Sequence, residues 1–324
     1  MHPIAYYQQV VADYFETANL QKEPANLYAP VTYILSLGGK RIRPVLTLMA
    51  AEVFNADCRE ALPAAIAVEI FHNFSLVHDD IMDDAPLRRG HQTVHERWNI
   101  NTGILSGDAM LILAYQYFEQ YEPATFMQLA KLFSKTALEV CEGQQWDVDF
   151  EDRNDVTEPE YLKMIEYKTA VLLGAAMKMG GIVANTTHEN CNLIYDFGRY
   201  LGIAFQLQDD YLDAFGNPET FGKQVGGDII ENKKTYLYLK ALEYGNTVEK
   251  EQLLHWFGQQ PENTAQKIES VKAIFTASGA HTATTAAIEA YTMNAFATLE
   301  QMDIAPEKKE VLRAFGQKLM KRSV

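Results

Sequence analysis

The chain has 324 residues, 48% of them hydrophobic, which is enough for a large buried core and excludes a disordered polypeptide. Its 28 basic and 43 acidic side chains leave a formal net charge of -15, so most of the surface repels polyanions and no nucleic-acid partner is expected. The cysteines, Cys58, Cys141 and Cys191, are odd in number and far apart, with no CxxC or Cys/His spacing, and read as buried or half-buried small hydrophobes in a reducing compartment. The opening MHPIAYYQQVVADYF has no basic segment ahead of an apolar run, so no secretory signal is visible. The most apolar later stretch, Ala170 to Ala184, is broken by Lys178 and paired glycines and falls short of a membrane span. The expectation is a cytoplasmic protein without stable membrane insertion.

Along the chain, apolar residues recur at helical spacing and strand-like alternation is nearly absent. The clearest helix spans 61–83, where Ile66, Ile70, Phe71, Phe74, Val77 and Ile81 form an apolar stripe. Further helices are predicted over 104–121, 124–150, 159–182, 189–213, 229–244, 262–278, 280–303 and 307–321. Pro44, Pro63, Pro123, Pro159 and Pro306 fall between these segments or in their first turns, where proline costs a helix least. No Gly/Ser-rich linker, charge block or internal repeat divides the chain, so the pattern predicts an all-α fold in one domain over 1–324.

Two acidic clusters close long apolar segments: DDIMDD over 79–84 and DDYLD over 209–213. On a helix, Asp79 and Asp83 are i,i+4 neighbours, as are Asp209 and Asp213, with Cβ atoms about 5–6 Å apart. Like charges held so close are destabilising unless a cation or proton neutralises them. Oxygen ligands without His or Cys suit a hard cation such as magnesium, which is commonly held by one or two carboxylates plus substrate phosphate oxygens. One such cluster alone could equally be a solvated helix end; two with the same spacing favour the ligand reading. Positive charge is concentrated in GGKRIRP over 38–44 and LRRG over 87–90, where Lys40, Arg43, Arg88 and Arg89 have the chemistry of a diphosphate clamp. The alternative for GGKRIRP is a flexible turn before a helix starting at Pro44. Lys168, Lys223, Lys233 and Lys234 could each be an ordinary surface lysine. His72 lies seven residues before Asp79, about two turns away on the same face, which fits a site residue better than a core histidine. Tyr6, Tyr7, Tyr14, Phe15 and Tyr117 read as core or subunit contacts.

Taken in order, GGKRIRP, HNFSLVHDDIMDD with LRRG, EGQQWD over 142–147, YKTA over 167–170, FQLQDDYLD over 205–213 and GKQVGGDIIENKKT over 222–235 make the chain similar to the trans-prenyl diphosphate synthases, the family of farnesyl and geranylgeranyl diphosphate synthases. The resemblance covers nearly the whole chain. It implies an isoprenoid-synthase-type helical bundle with a central active-site cavity, usually homodimeric, and three magnesium ions per site. It implies metal ligands at Asp79, Asp80, Asp83, Asp209, Asp210 and Asp213. By the same resemblance Arg88, Lys168, Thr169, Gln206, Lys223 and Lys233 bind the allylic diphosphate, and Lys40, Arg43, His72 and Arg89 bind isopentenyl diphosphate. Asp79, Asp83, Lys168, Gln206 and Asp209 carry the catalysis, and Gln144 and Phe205 are further pocket positions.

The implied reaction is head-to-tail condensation through ionisation of the allylic substrate, which needs no side-chain nucleophile; the chain has no G-x-S-x-G elbow or P-loop. A terpene cyclase would not need the second diphosphate site at Lys40, Arg43 and Arg89, and a non-catalytic partner subunit would not need both aspartate motifs intact. The paired E-x-x-H ligands of a di-iron bundle are not apparent. In the family, a bulky residue four or five positions before the first aspartate floors the product pocket. Here those positions are Ser75 and Phe74, with Phe71 a turn deeper, a pattern that resembles geranylgeranyl synthases, with farnesyl diphosphate as the alternative main product.

Overall fold

The computed structural model describes residues 1–217, 225–259 and 263–321. Nearly all regular structure in them is helical. In chain order come α1 Ile4–Thr17, α2 Ala25–Ser36, α3 Ile42–Val53, a 3₁₀ turn Cys58–Ala61, α4 Leu62–Met82, the hairpin strands β1 Leu87–Arg88 and β2 His91–Gln92, α5 Val94–Arg97, α6 Ile100–Phe118, α7 Pro123–Asp152, α8 Glu158–Ile165, a π turn Glu166–Ala170, α9 Val171–Val183 and α10 His188–Phe215. After them come α11 Gly227–Ile230, α12 Tyr236–Tyr244, α13 Thr247–Phe257, α14 Thr264–Ala277, α15 Ala280–Gln301 and α16 Pro306–Met320.

Two compact units account for the chain: residues 1–136 with 175–195, and residues 137–174 with everything from Asp196 onward. In the first, α4 is the central helix, and Ile66, Ile70, Phe71, Phe74 and Val77 of its stripe are buried. Each contributes about 1.5–3 kcal/mol by leaving water. Phe71 meets Phe133 edge-on at 5.0 Å between ring centres, and Phe133 meets Phe118 at 5.2 Å, so aromatic contacts join α4, α6 and α7. The stretch Cys58–Met82 is long and apolar enough to cross a bilayer, yet 67% of its most apolar window is buried in the fold, as suits a core helix.

The second unit is built around a core that includes Tyr161, Ile165, Leu207, Leu237, Tyr238, Leu253, Val271 and Phe275. The helix expected over 159–182 is interrupted by the π turn, and the one expected over 229–244 is broken between Ile230 and Tyr236. There Asn232 takes a left-handed φ of 59° and the Lys233 amide returns to the Asp228 carbonyl at 2.9 Å, ending one helix before the next begins. Helices α1, α2, α5 and α13 were outside the sequence-based expectation, and α3 matches only the alternative reading of GGKRIRP, a turn before a helix starting at Pro44. Cys58 and Cys191 are buried as expected, but Cys141 is exposed on α7.

Candidate active site

In the first unit, the last turn of α4 carries Asp79 and Asp80. Asp83 caps the helix, its amide on the Asp79 carbonyl at 2.9 Å, and Asp84 with φ 48° turns the chain away. This turn is held against α6 by close packing: a Cβ on Gly107 would lie 2.2 Å from His78 Nε2, and one on Gly103 2.8 Å from Ile81 Cδ1. The three aspartates of this turn differ in environment, Asp79 being half-buried, Asp80 buried and Asp83 exposed. Asp80 is buried and accepts from Arg88 Nε at 2.8 Å, while Arg88 Nη2 lies 3.7 Å from Asp79 Oδ2. Burial pushes the Asp80 carboxyl up, against the pull of Arg88. Arg88 and Arg89 are presented by the hairpin, whose two-residue turn has φ 54° at Arg89 and 78° at Gly90. Tyr33 Oη secures its second strand by donating to the Gln92 carbonyl at 2.7 Å.

The loop before α3 reaches the same hairpin. Gly39 has φ 124°, and a Cβ there would sit 3.0 Å from Arg89 Cζ, so glycine both permits the backbone conformation and makes room for the guanidinium, which donates to the Gly38 carbonyl. Arg41 is structural: it donates to Glu69 Oε1 at 2.5 Å and to the Leu35 carbonyl. Arg43 feels its own desolvation, the attraction of Glu69 and the repulsion of Arg89, and is lowered to about 10, which still leaves it charged at neutral pH. Burial and then Arg43, Arg89, Arg88 and Arg41 hold the His72 imidazole well below its ordinary range, so it is neutral at pH 7. The structure thus brings Arg43, His72, Arg88 and Arg89 into one electrostatic neighbourhood, the excess cation of an anion site. Lys40 is exposed on the loop beside them. Along α4, Phe71 and Phe74 are buried and in contact, with ring centres 5.4 Å apart, and Ser75 Oγ donates to the His72 carbonyl at 2.8 Å.

The second unit holds a cavity of about 200 Å³ lined by Asp147, Lys168, Thr169, Gln206, Asp209, Asp210, Asp213, Asp228, Lys233 and Lys234, with Phe150, Tyr161, Met164 and Ile165 as its apolar wall. On α10, Gln206, Asp209, Asp210 and Asp213 recur at helical spacing, so one face delivers all four. Gln206 Nε2 donates to Asp210 Oδ1 at 2.9 Å, and Gln206 Oε1 accepts from Thr169 Oγ1 at 3.1 Å. The Tyr161 hydroxyl donates to Asp210 Oδ2. Asp213 Oδ2 accepts from the Asp228 amide at 3.0 Å, which fixes the GGD loop to α10. Lys168 Nζ reaches Asp147 Oδ2 at 2.5 Å. Burial above all, with neighbouring carboxylates, raises Asp210 to about 7 and Asp228 to about 8. Lys233 pays for its burial but is raised on balance by Asp228 and Glu231.

Lys168 and Thr169 owe their placement to the π turn, which inserts an extra residue into the helical line at YKTA. Gly143 of EGQQWD lets α7 come against it: a Cβ there would lie 2.2 Å from the Lys168 amide nitrogen. Trp146 and Tyr167 rings pack at 5.3 Å beside it. Gln144 and Phe205 are half-buried on α7 and α10, outside the lining of this cavity, and Lys223 lies outside the described residues. Asp147, Tyr161 and Asp228 line the cavity without having been singled out from the sequence. Asp147 and Asp228 lie inside the EGQQWD and GGDIIENKKT strings, the one signal that could have found them.

The polyprenyl synthetase family profile matches residues 24–275. The chain belongs to this family. It is 42% identical over 224 residues to the geranylgeranyl diphosphate synthase of Methanosarcina mazei, covering 68% of this chain and 69% of the relative. It is 40% identical to the geranylgeranyl pyrophosphate synthase of Geoglobus acetivorans over 74% of this chain and 76% of that one. A crystal structure of a geranylgeranyl pyrophosphate synthase superimposes with a TM-score of 0.95 at 54% identity, covering 100% of both chains. Membership makes the protein a trans-prenyltransferase on an all-α isoprenyl synthase fold.

The residues fit a divalent cation. Five aspartates, Asp147, Asp209, Asp210, Asp213 and Asp228, share the small cavity with Glu151 and with no imidazole or thiol among its lining, a hard all-oxygen donor set. The upward shifts of Asp210 and Asp228 register the crowded buried negative charge that a cation would relieve.

Proposed function

We propose that the protein condenses isopentenyl diphosphate with an allylic diphosphate, dimethylallyl, geranyl or farnesyl, to give geranylgeranyl diphosphate as its main product. The observation that carries this reading is the cavity of the second unit, where six carboxylates, those of Asp147, Glu151, Asp209, Asp210, Asp213 and Asp228, stand with Lys168, Lys233 and Lys234 around about 200 Å³ of space. Asp209, Asp210 and Asp213 would hold Mg²⁺, three ions per site by family resemblance, and Asp79 and Asp83 are assigned to the same metal role on that resemblance. The metal supplies electrostatic stabilisation of the diphosphate leaving group.

Lys168 and Lys233 bind the allylic diphosphate and offset the charge that develops as its carbon–oxygen bond breaks. Thr169 and Gln206 form a hydrogen-bonded line that ends on Asp210 and orients it. Arg88, already paired with Asp80, is assigned to the allylic diphosphate, and Lys40, Arg43, His72 and Arg89 to isopentenyl diphosphate. Binding the second substrate brings its double bond within reach of the allylic carbocation, and the proton lost afterwards passes to the released diphosphate. A neutral His72 serves as a hydrogen-bonding group and adds no charge. Geranylgeranyl diphosphate as product is supported by the small Ser75 and by the names of the relatives. A homodimer is supported by Ile100, Ile104, Leu105 and Ile112, all at least 41% exposed along α6, since a monomer rarely leaves so many large apolar side chains in water on one helix.

The test is prenyl transfer with and without metal, in the wild type and in Asp79→Ala and Asp209→Ala. Activity is expected to vanish on chelation and return with magnesium, and either substitution should lower the rate by orders of magnitude while the protein stays folded. Full turnover after thorough metal removal would refute the assignment.

A further inference from the structure

Lys267, on α14, is 1% exposed, and its ammonium lies 5.7 Å from the centre of the Phe257 ring. A buried ammonium needs its donors matched, and here three oxygens do so: Asn232 Oδ1 at 2.5 Å, the Gln259 carbonyl at 3.3 Å and the Ile230 carbonyl at 3.5 Å. Two of these oxygens belong to the segment 227–235, and they lie at its bend, where α11 ends and Asn232 adopts its left-handed conformation. The same segment presents Asp228 and Lys233 to the cavity. It is pinned at its front by Asp213, which accepts from the Asp228 amide through its side chain and from the Gly226 amide at 2.6 Å through its carbonyl. Its rear is held by Lys267. Nothing apolar about the site calls for a lysine: a methionine would fill the same slot without desolvating a charge.

From this we infer that Lys267 is a positioning residue for diphosphate binding: by clamping the bend at 230–232 it fixes where Asp228 and Lys233 stand in the cavity. The inference rests on the prenyl-transfer reading for its kinetic consequence but not for its structural one. Two variants test it. Lys267→Met removes the ammonium at similar volume. Asn232→Gly removes its shortest acceptor and keeps a residue that tolerates the positive φ.

Both variants are measured for amide hydrogen exchange across 227–235, for melting temperature and for the Michaelis constants of the two substrates. Each is expected to speed exchange in 227–235 selectively, to raise the Michaelis constant for the allylic diphosphate about tenfold and to leave that for isopentenyl diphosphate within about twofold. The melting temperature of Lys267→Met should be unchanged or higher. The double variant should be no worse than either single one, because both remove the same bond. Unaltered exchange in 227–235, or a loss of activity that merely tracks loss of folded protein with both Michaelis constants unchanged, would overturn the inference. A wild-type enzyme without prenyl transfer would instead overturn the reading beneath it, and the exchange data would still decide the clamp.

Discussion

His72 shows how a single side chain's charge state follows from its neighbours. Burial first, and then four arginines, keep its imidazole neutral in the folded protein, whereas in the unfolded chain it titrates near about 6.5. Below that pH the unfolded state binds a proton that the folded state refuses, so stability falls as pH drops from about 7 toward 5. Replacing it by glutamine should flatten the stability–pH profile across that window by up to about 1.4 kcal/mol per pH unit. Identical slopes for wild type and His72→Gln in urea melts at several pH values would show that the imidazole is not shielded. At this scale the sequence was informative where spacing encodes proximity. Asp79 with Asp83, and Asp209 with Asp213, were legible because helical periodicity alone makes them neighbours. Asp147 was not, because it lies 21 residues from Lys168 and the two meet only once α7 and the π turn pack together. Asp80, which the resemblance places among the metal ligands, is buried and accepts from Arg88, and no local pattern encodes that inward turn.

At the scale of elements, the π turn is the feature that places chemistry and leaves no mark on composition. YKTA reads as ordinary helix, and the displacement of Lys168 and Thr169 appears only in the backbone. Gly143 is the residue that permits it. A methyl group there would meet main-chain atoms 2.2 and 2.7 Å away in Lys168 and Tyr167, which cannot swing aside, so Gly143→Ala should cost about 1–3 kcal/mol and sharply reduce turnover by displacing Lys168. Gly181→Ala is the control, because its nearest contacts at 3.3 Å and beyond are side chains. Equal activity in the two variants would mean that the π turn tolerates movement. Helix α4 supports a second expectation. Phe71 is locked against Phe133 and Phe74, while Ser75 leaves room at the family's length-setting position. Ser75→Phe should shorten the main product and Phe71→Ala should lengthen it, read by chromatography of the prenyl chains. Unchanged products at measurable rates would place the growing tail elsewhere. The break between α11 and α12 was missed although residues 231–235, ENKKT, are all polar, because apolar residues on both sides of them read as one helix, and α2 was missed because Pro30 lies inside the helix, where proline usually ends one.

For the molecule as a whole, the all-α class was legible because long stretches of the chain keep one apolar period and prolines fall at helix ends. The division into two compact units was not, since their boundaries at 136 and 137, 174 and 175, and 195 and 196 fall within continuous helices and carry no linker composition. The acidic surface and the confined cation also belong to this scale: with 28 basic side chains against 43 acidic, the arginines gathered around His72 and the lysines of the cavity mark where anions are welcome. The most direct measurement is chain-length analysis of the products made by the purified protein from isopentenyl diphosphate and magnesium with dimethylallyl, geranyl or farnesyl diphosphate as primer. Geranylgeranyl diphosphate is expected as the dominant product with every primer that is accepted. Accumulation of farnesyl diphosphate with no extension of a farnesyl primer would contradict the assigned product, and a cyclic hydrocarbon in place of any prenyl diphosphate would contradict prenyl transfer itself.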